Sequence, residues 1–114
     1  QAIIFITHDI SIAAFISTRI IVMYAGEIME IGRTEEVIKN PLHPYTVGLI
    51  NSVPSISGNV NNIKPIKEGY ASSEGCPFST RCEKVMEICK VSEPSLYTVN
   101  GRKVRCFLYG NNKA

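Results

Sequence analysis

Apolar and polar positions fall into blocks along the chain, and each block has its own period. Ala2-Ile3-Ile4-Phe5-Ile6 is a continuous apolar run, the pattern of a strand buried on both faces of a parallel sheet. Thr7-His8-Asp9 closes it with three polar residues. Ile10, Ile12, Ala13, Ala14, Phe15 and Ile16 then predict a short, mostly buried helix with Asp9 as its N-cap. Ile20–Tyr24 is strand-like, Ala25-Gly26-Glu27 is a tight connection, and Ile28, Glu30 and Gly32 alternate with Met29 and Ile31. Together these predict a β-hairpin.

Thr34 followed by Glu35 and Glu36 reads as a capped helix start whose acidic first turn complements the helix dipole. Asn40-Pro41 stops that helix, and Pro44, tolerated in a first turn, opens another through Ser52. From Val53 to Ser73 the chain is dominated by Pro, Ser, Gly and Asn, the composition of a linker. Four cysteines follow, Cys76, Cys82, Cys89 and Cys106. A short helix is expected over Glu83–Cys89. A strand pair is expected near Leu96–Val99 and Lys103–Leu108, turning at Asn100-Gly101.

Of the 114 residues 45% are hydrophobic, which excludes wholesale disorder, and the composition excludes collagen, coiled-coil and low-complexity classes. Charge-free apolar stretches are interrupted by Arg19, short of the roughly 20 residues that span a bilayer. No charged n-region and cleavage site mark a signal peptide. A buried strand at the very start, following only Gln1, reads as a chain cut from something longer. The net charge of +2 is too small to argue for nucleic acid. Its distribution is uneven: residues 1–63 hold three basic groups against five acidic, and residues 64–114 nine against five. With all the cysteines in the second part, the chain reads as two unlike pieces.

Candidate chemistry sits at three places. His8 follows an apolar strand directly, where the carboxyl edge of a parallel sheet faces its ligand crevice, and an imidazole there can hydrogen-bond a phosphate oxygen or orient a water. The plainer alternative is a histidine that only satisfies its neighbours. His43, between Pro41 and Pro44, fixes the turn into the following helix, and Tyr45 packs on the preceding one. The cysteine gaps, C-x5-C, C-x6-C and C-x16-C, leave several readings open. Two disulfides would contribute roughly 2–4 kcal/mol each in an oxidising compartment. Zinc would use the four thiolates, although the usual C-x2–4-C knuckle is missing. An iron–sulfur cluster accepts a more open loop, and four free buried thiols are the remaining reading. Pro77 and Phe78 would shield such a site. The nearby Arg81, Lys84, Lys90, Arg102, Lys103 and Arg105 would offset thiolate charge. Without aromatic interleaving they point to no nucleic-acid partner.

The apolar strand, Thr7-His8-Asp9, the helix, and then Arg19-Ile20-Ile21-Val22-Met23-Tyr24-Ala25-Gly26-Glu27-Ile28 resemble the C-terminal end of an ABC-type ATP-binding domain. Asn40-Pro41-Leu42-His43-Pro44-Tyr45-Thr46 and Gly75-Cys76-Pro77-Phe78-x-x-Arg81-Cys82 resemble the segments that follow it in ATP-binding subunits of oligopeptide and dipeptide importers. The resemblance runs from about Ala2 to Cys106 and is weakest across the linker. It implies that His8 is the switch histidine at the γ-phosphate, with Asp9 as its neighbour. It also implies a [4Fe–4S] cluster on Cys76, Cys82, Cys89 and Cys106, which some members of the subfamily carry, with zinc the alternative.

The expected fold class is therefore α/β: the terminal part of an ABC-type ATP-binding domain (1–52), a linker (53–73) and a small cysteine-rich extension (74–114). The resemblance implies ATP and Mg²⁺ in the intact chain, and a second ATP-binding subunit and transmembrane permease subunits as partners. It implies a peripheral location on the cytoplasmic face of the cell membrane. The 114 residues hold no G-x-x-x-x-G-K-[ST] phosphate loop, no LSGGQ-like signature and no strand ending in the Mg²⁺-binding carboxylate. By themselves they are expected to be inactive, and the apolar edge at Ala2–Ile6 is expected to favour self-association. The rival from another class is a free-standing metal-binding interaction module; a small disulfide-rich secreted domain is a more distant third.

Overall fold

The computed structural model describes residues 2–53 and 66–110; most of the linker expected over 53–73 lies outside them. Asp9 caps helix α1 (Ile10–Ile16), its carboxylate accepting from the backbone N–H groups of Ser11 and Ile12. Strands β1 (Arg19–Tyr24) and β2 (Glu27–Arg33) pair antiparallel around Ala25-Gly26. Both turn residues have positive φ, 52° and 81°, as a primed two-residue turn requires. Helix α2 (Thr34–Lys39) starts one residue earlier than expected: Arg33 occupies the cap position without a side-chain bond, and Thr34 is the first helical residue. Helix α3 (Pro44–Asn51) carries Pro44 in its first turn.

The short helix of the cysteine region, α4 (Glu87–Val91), lies further along than the expected Glu83–Cys89. Its start is set by Met86, whose backbone N–H donates to Cys89 Sγ at 3.4 Å. Strands β3 (Tyr97–Val99) and β4 (Arg102–Val104) turn at Asn100-Gly101, again with two positive φ values. A 3-10 turn, Phe107–Tyr109, follows.

β4 pairs with β2 as well as with β3, giving one antiparallel sheet in the order β1-β2-β4-β3. The strand that follows the cysteine loop thus extends the sheet begun by the hairpin. One face of β1 carries Ile20 and Val22, which bury against Val37 of α2, with Ala13, Ile38, Tyr45 and Leu49 around them. A second cluster gathers Cys76, Phe78 and Cys89 with Tyr24, Tyr45 and Phe107. No helix among the described residues is long and apolar enough to cross a membrane.

The expected strand at Ala2–Ile6 does not form. Its residues pair with no described strand and are exposed, Ile4 to 91%. An extended segment needs neighbours for its N–H and C=O groups and cover for its side chains, and nothing in the described structure supplies either. α1, expected to be mostly buried, is covered only in part: Ala13 packs against the β1–α2 cluster, no residue of the helix is fully buried, and Phe15 is 89% exposed.

Candidate functional site

The site begins with a buried charge. Glu30 sits on β2, between β1 and β4, with no exposed surface. A carboxylate taken fully out of water must be paired and hydrogen-bonded. Arg102 of β4 donates to it through Nη2 at 2.7 Å, and the backbone N–H groups of Leu42 and His43 donate at 3.1 and 2.9 Å. The same Arg102 nitrogen donates to the Asn40 carbonyl. The Asn40–Pro44 turn is thereby fastened to the middle of the sheet from two sides.

His43 continues from that turn. Its Nδ1 accepts from the Tyr45 N–H at 3.0 Å and so caps α3, the structural role the flanking prolines predict. The ring is buried, and burial pulls its pKa down to about 4; the Arg105 carbonyl, which opposes that shift, stands outside hydrogen-bond geometry to Nε2. Tyr45 packs against the α2 cluster as expected, and its ring also meets Tyr24 at 4.9 Å and Phe78 at 5.1 Å.

The four cysteines come from three stretches that fold together. Gly75 has φ +67° and passes so close to α4 that an added Cβ would stand 2.3 Å from the Cys89 carbonyl. That approach lets the Cys76 N–H donate to the same carbonyl at 2.8 Å. Cys82 ends the 75–82 loop, and Cys106 follows β4. All four are free thiols, and all line one small cavity of about 10 Å³ together with His43 and Phe78. Burial raises the pKa of Cys76 and Cys82 and carries Cys106 to about 11, with smaller increases from neighbouring thiolate charges. Backbone N–H groups of Phe78, Lys84 and Leu108 act the other way on these three sulfurs. For Cys82 that contact is 3.3 Å from the Lys84 nitrogen.

A set of four convergent thiols, each approached by a backbone N–H, fits the chemistry of a soft, thiolate-bound metal. The spacing is not that of a formed site: among the described residues no group of three or more His, Cys, Asp or Glu stands in ligating geometry. The void is about the size of one water or one ion, smaller than a four-iron cube.

Other expected residues go elsewhere. His8 is exposed, just ahead of the α1 cap, and does not line the cysteine cavity. Several of the cations expected to offset thiolate charge are committed to structure. Arg102 pairs with Glu30, and Arg105 donates to the carbonyls of Ile28 and Pro94. Arg81 lies over the rings of Tyr24 and Phe78; of these cations Lys84 lines the cavity. The Glu30–Arg102 pair went unrecognised in the sequence. The signal available was an acidic residue between Met29 and Ile31 in a hairpin strand, where an unpaired charge has no place.

Residues 29–89, more than half of the chain, match the family described as the oligopeptide/dipeptide transporter, C-terminal region. That span includes Glu30, His43 and three of the four cysteines. The chain is 41% identical over 113 residues to the oligopeptide transport ATP-binding protein AppD of Bacillus subtilis, covering 95% of this chain and 34% of that protein. It is 42% identical over 111 residues to the dipeptide transport ATP-binding protein DppD of Caldanaerobacter subterraneus, covering 93% of this chain and 34% of the relative. It is 40% identical over 116 residues to the oligopeptide transport ATP-binding protein OppD of Escherichia coli, 93% of this chain and 33% of the relative. The chain thus spans about a third of the length of the curated relatives it matches. It belongs to the oligopeptide/dipeptide transporter C-terminal family, as a C-terminal fragment of such an ATP-binding protein.

Proposed function

We propose that this chain is the end of an ATP-binding subunit that couples ATP hydrolysis to uptake of oligopeptides or dipeptides by an ABC importer. The observation that carries the reading is identity of about 40% across more than nine-tenths of the chain to proteins named for oligopeptide and dipeptide transport. In the intact importer two ATP-binding subunits close on ATP and Mg²⁺ and act on membrane permease subunits, which puts the protein at the cytoplasmic face of the membrane. His8, after an apolar run and one residue before the α1 cap, donates a hydrogen bond at the γ-phosphate. Phosphoryl transfer depends on cradling the phosphates, and the 114 residues lack the phosphate loop, so they do not hydrolyse ATP alone. The test is ATPase activity of the full-length subunit assembled with its permease. His8→Ala abolishing turnover while ATP still binds supports the role; undiminished turnover removes it.

Residues 74–114 act as a thiolate centre held by Cys76, Cys82, Cys89 and Cys106. A [4Fe–4S] cluster held by these four thiolates would cross-link three stretches of chain, and it would need the sulfurs to stand further apart than the void of about 10 Å³ they line. Support comes from the convergence of four thiols on one cavity and from the backbone N–H groups directed at the sulfurs. Zinc is the second reading, favoured by a void the size of a single ion. In either case the centre braces the region rather than taking part in hydrolysis.

A further inference from the structure

A second and larger cavity, of about 270 Å³, is enclosed by α3, the Pro41-Leu42 turn, the 3-10 turn and the loop that runs to Lys84. Leu42, Val47, Ile66, Phe78 and Leu108 give it an apolar wall. Part of that wall depends on Gly48. A Cβ added there would stand 2.6 Å from Ile66 Cγ1, so the bare backbone lets Ile66 close on α3. Glycine inside a helix costs stability, and here it shapes the wall. Three cations share the lining, Lys67, Arg81 and Lys84, against one acid, Glu83. Among the described residues neither lysine nor Glu83 forms an ion pair. Arg81 is fixed in place: its Nε donates to the Lys67 carbonyl at 2.9 Å and its Nη1 to the Tyr24 hydroxyl at 3.1 Å. The guanidinium also lies over the Tyr24 and Phe78 rings. Its Nη2 has no hydrogen-bond partner among the described residues.

We propose that this cavity binds a small carboxylate carrying one apolar group, the size of a single aliphatic side chain. The wall takes the apolar group, and the excess positive charge takes the carboxylate. A guanidinium already held by two hydrogen bonds and two rings loses little further freedom in donating to an anion. The volume falls just under the roughly 300–1,000 Å³ of sites for drug-sized ligands, which limits the occupant to about one residue. Two sources offer that chemistry: a free short-chain acid and the last residue of a peptide. The site depends neither on what the cysteines hold nor on ATP hydrolysis.

Calorimetric titration of the full-length subunit tests it, with 4-methylpentanoate standing for the free acid and N-acetyl-leucine for the end of a peptide. Saturable binding of at least one is expected, and the tighter of the two identifies the source. N-acetyl-leucinamide, which keeps the apolar group and loses the charge, binds more weakly. Lys67→Gln combined with Lys84→Gln weakens binding of the acid about 5-fold, the scale of exposed ion pairs, and leaves the unfolding temperature unchanged because both side chains are exposed. Val47→Phe fills the cavity and abolishes binding. No saturable binding of either acid at millimolar concentration overturns the proposal. So does equal affinity for the amide, or wild-type affinity in a double lysine variant that unfolds at the wild-type temperature.

Discussion

The first eighteen residues and the cysteine region are both rich in apolar side chains, yet they meet opposite fates. Ile3, Ile4, Ile6 and Phe15 lie in water at 85% exposure or more, whereas Cys76, Phe78 and Cys89 are buried in a cluster of their own. Hydrophobicity does not separate them. Polar anchoring does: the cysteine region is joined to the sheet by β4, by the Glu30–Arg102 pair and by Arg105 on the Ile28 carbonyl. No comparable bond pairs Ala2–Ile6 with another described strand. A contiguous apolar stretch of this extent at the surface has the character of a contact surface rather than of scattered surface side chains.

The sharpest way to break the comparison is to cut the anchor. Glu30→Ala leaves Arg102 buried without its carboxylate and two backbone N–H groups unmet, and is expected to cost about 3–5 kcal/mol in urea unfolding. A loss under about 1 kcal/mol would show that the cysteine region holds itself.

Acid acts on the same turn through His43. Its folded-state pKa of about 4 lies below the 6.5 of an unperturbed imidazole. The unfolded chain therefore takes up a proton that the folded chain refuses. Stability from this group is complete above pH 6.5, falls as the pH drops from there to about 4, and is level below. The full loss is about 3 kcal/mol, read as the difference in metal-free unfolding between pH 7 and pH 4, and it shrinks in His43→Asn.

Gly75→Ala places a Cβ at positive φ against the Cys89 carbonyl. It is expected to cost about 2 kcal/mol or more and to speed the reaction of all four thiols with a maleimide. At the other end of the scale, Phe15→Ser changes stability of these 114 residues by less than about 0.5 kcal/mol. It reduces any self-association seen by light scattering. A large loss of stability there would mean that α1 is buried after all.

Much of this was legible in the residues. Asp9 capping α1, Pro44 opening α3 and the two turns at Ala25-Gly26 and Asn100-Gly101 follow from local chemistry, and local chemistry is what a sequence states directly. The strand at Ala2–Ile6 was misjudged because an apolar run says that a segment is to be covered, not by what. α4 was placed too early because its start depends on a backbone N–H bonding Cys89 Sγ, a contact with no compositional signal. The buried Glu30 and Arg102 are 72 residues apart, and their partnership exists only once β4 has paired with β2. For the site, the cysteines were visible at once; that His43 shares their cavity was not, because the sheet brings its turn there.

The most direct test of the thiolate centre is the metal content of the full-length subunit purified without oxygen, with Cys82→Ser beside it, since Cys82 is the least buried of the four. The account predicts iron and acid-labile sulfide in equal amounts, about four of each per chain, or one zinc without sulfide, lost in the variant. Wild-type protein that binds neither metal, or a variant that keeps its metal in full, would contradict it.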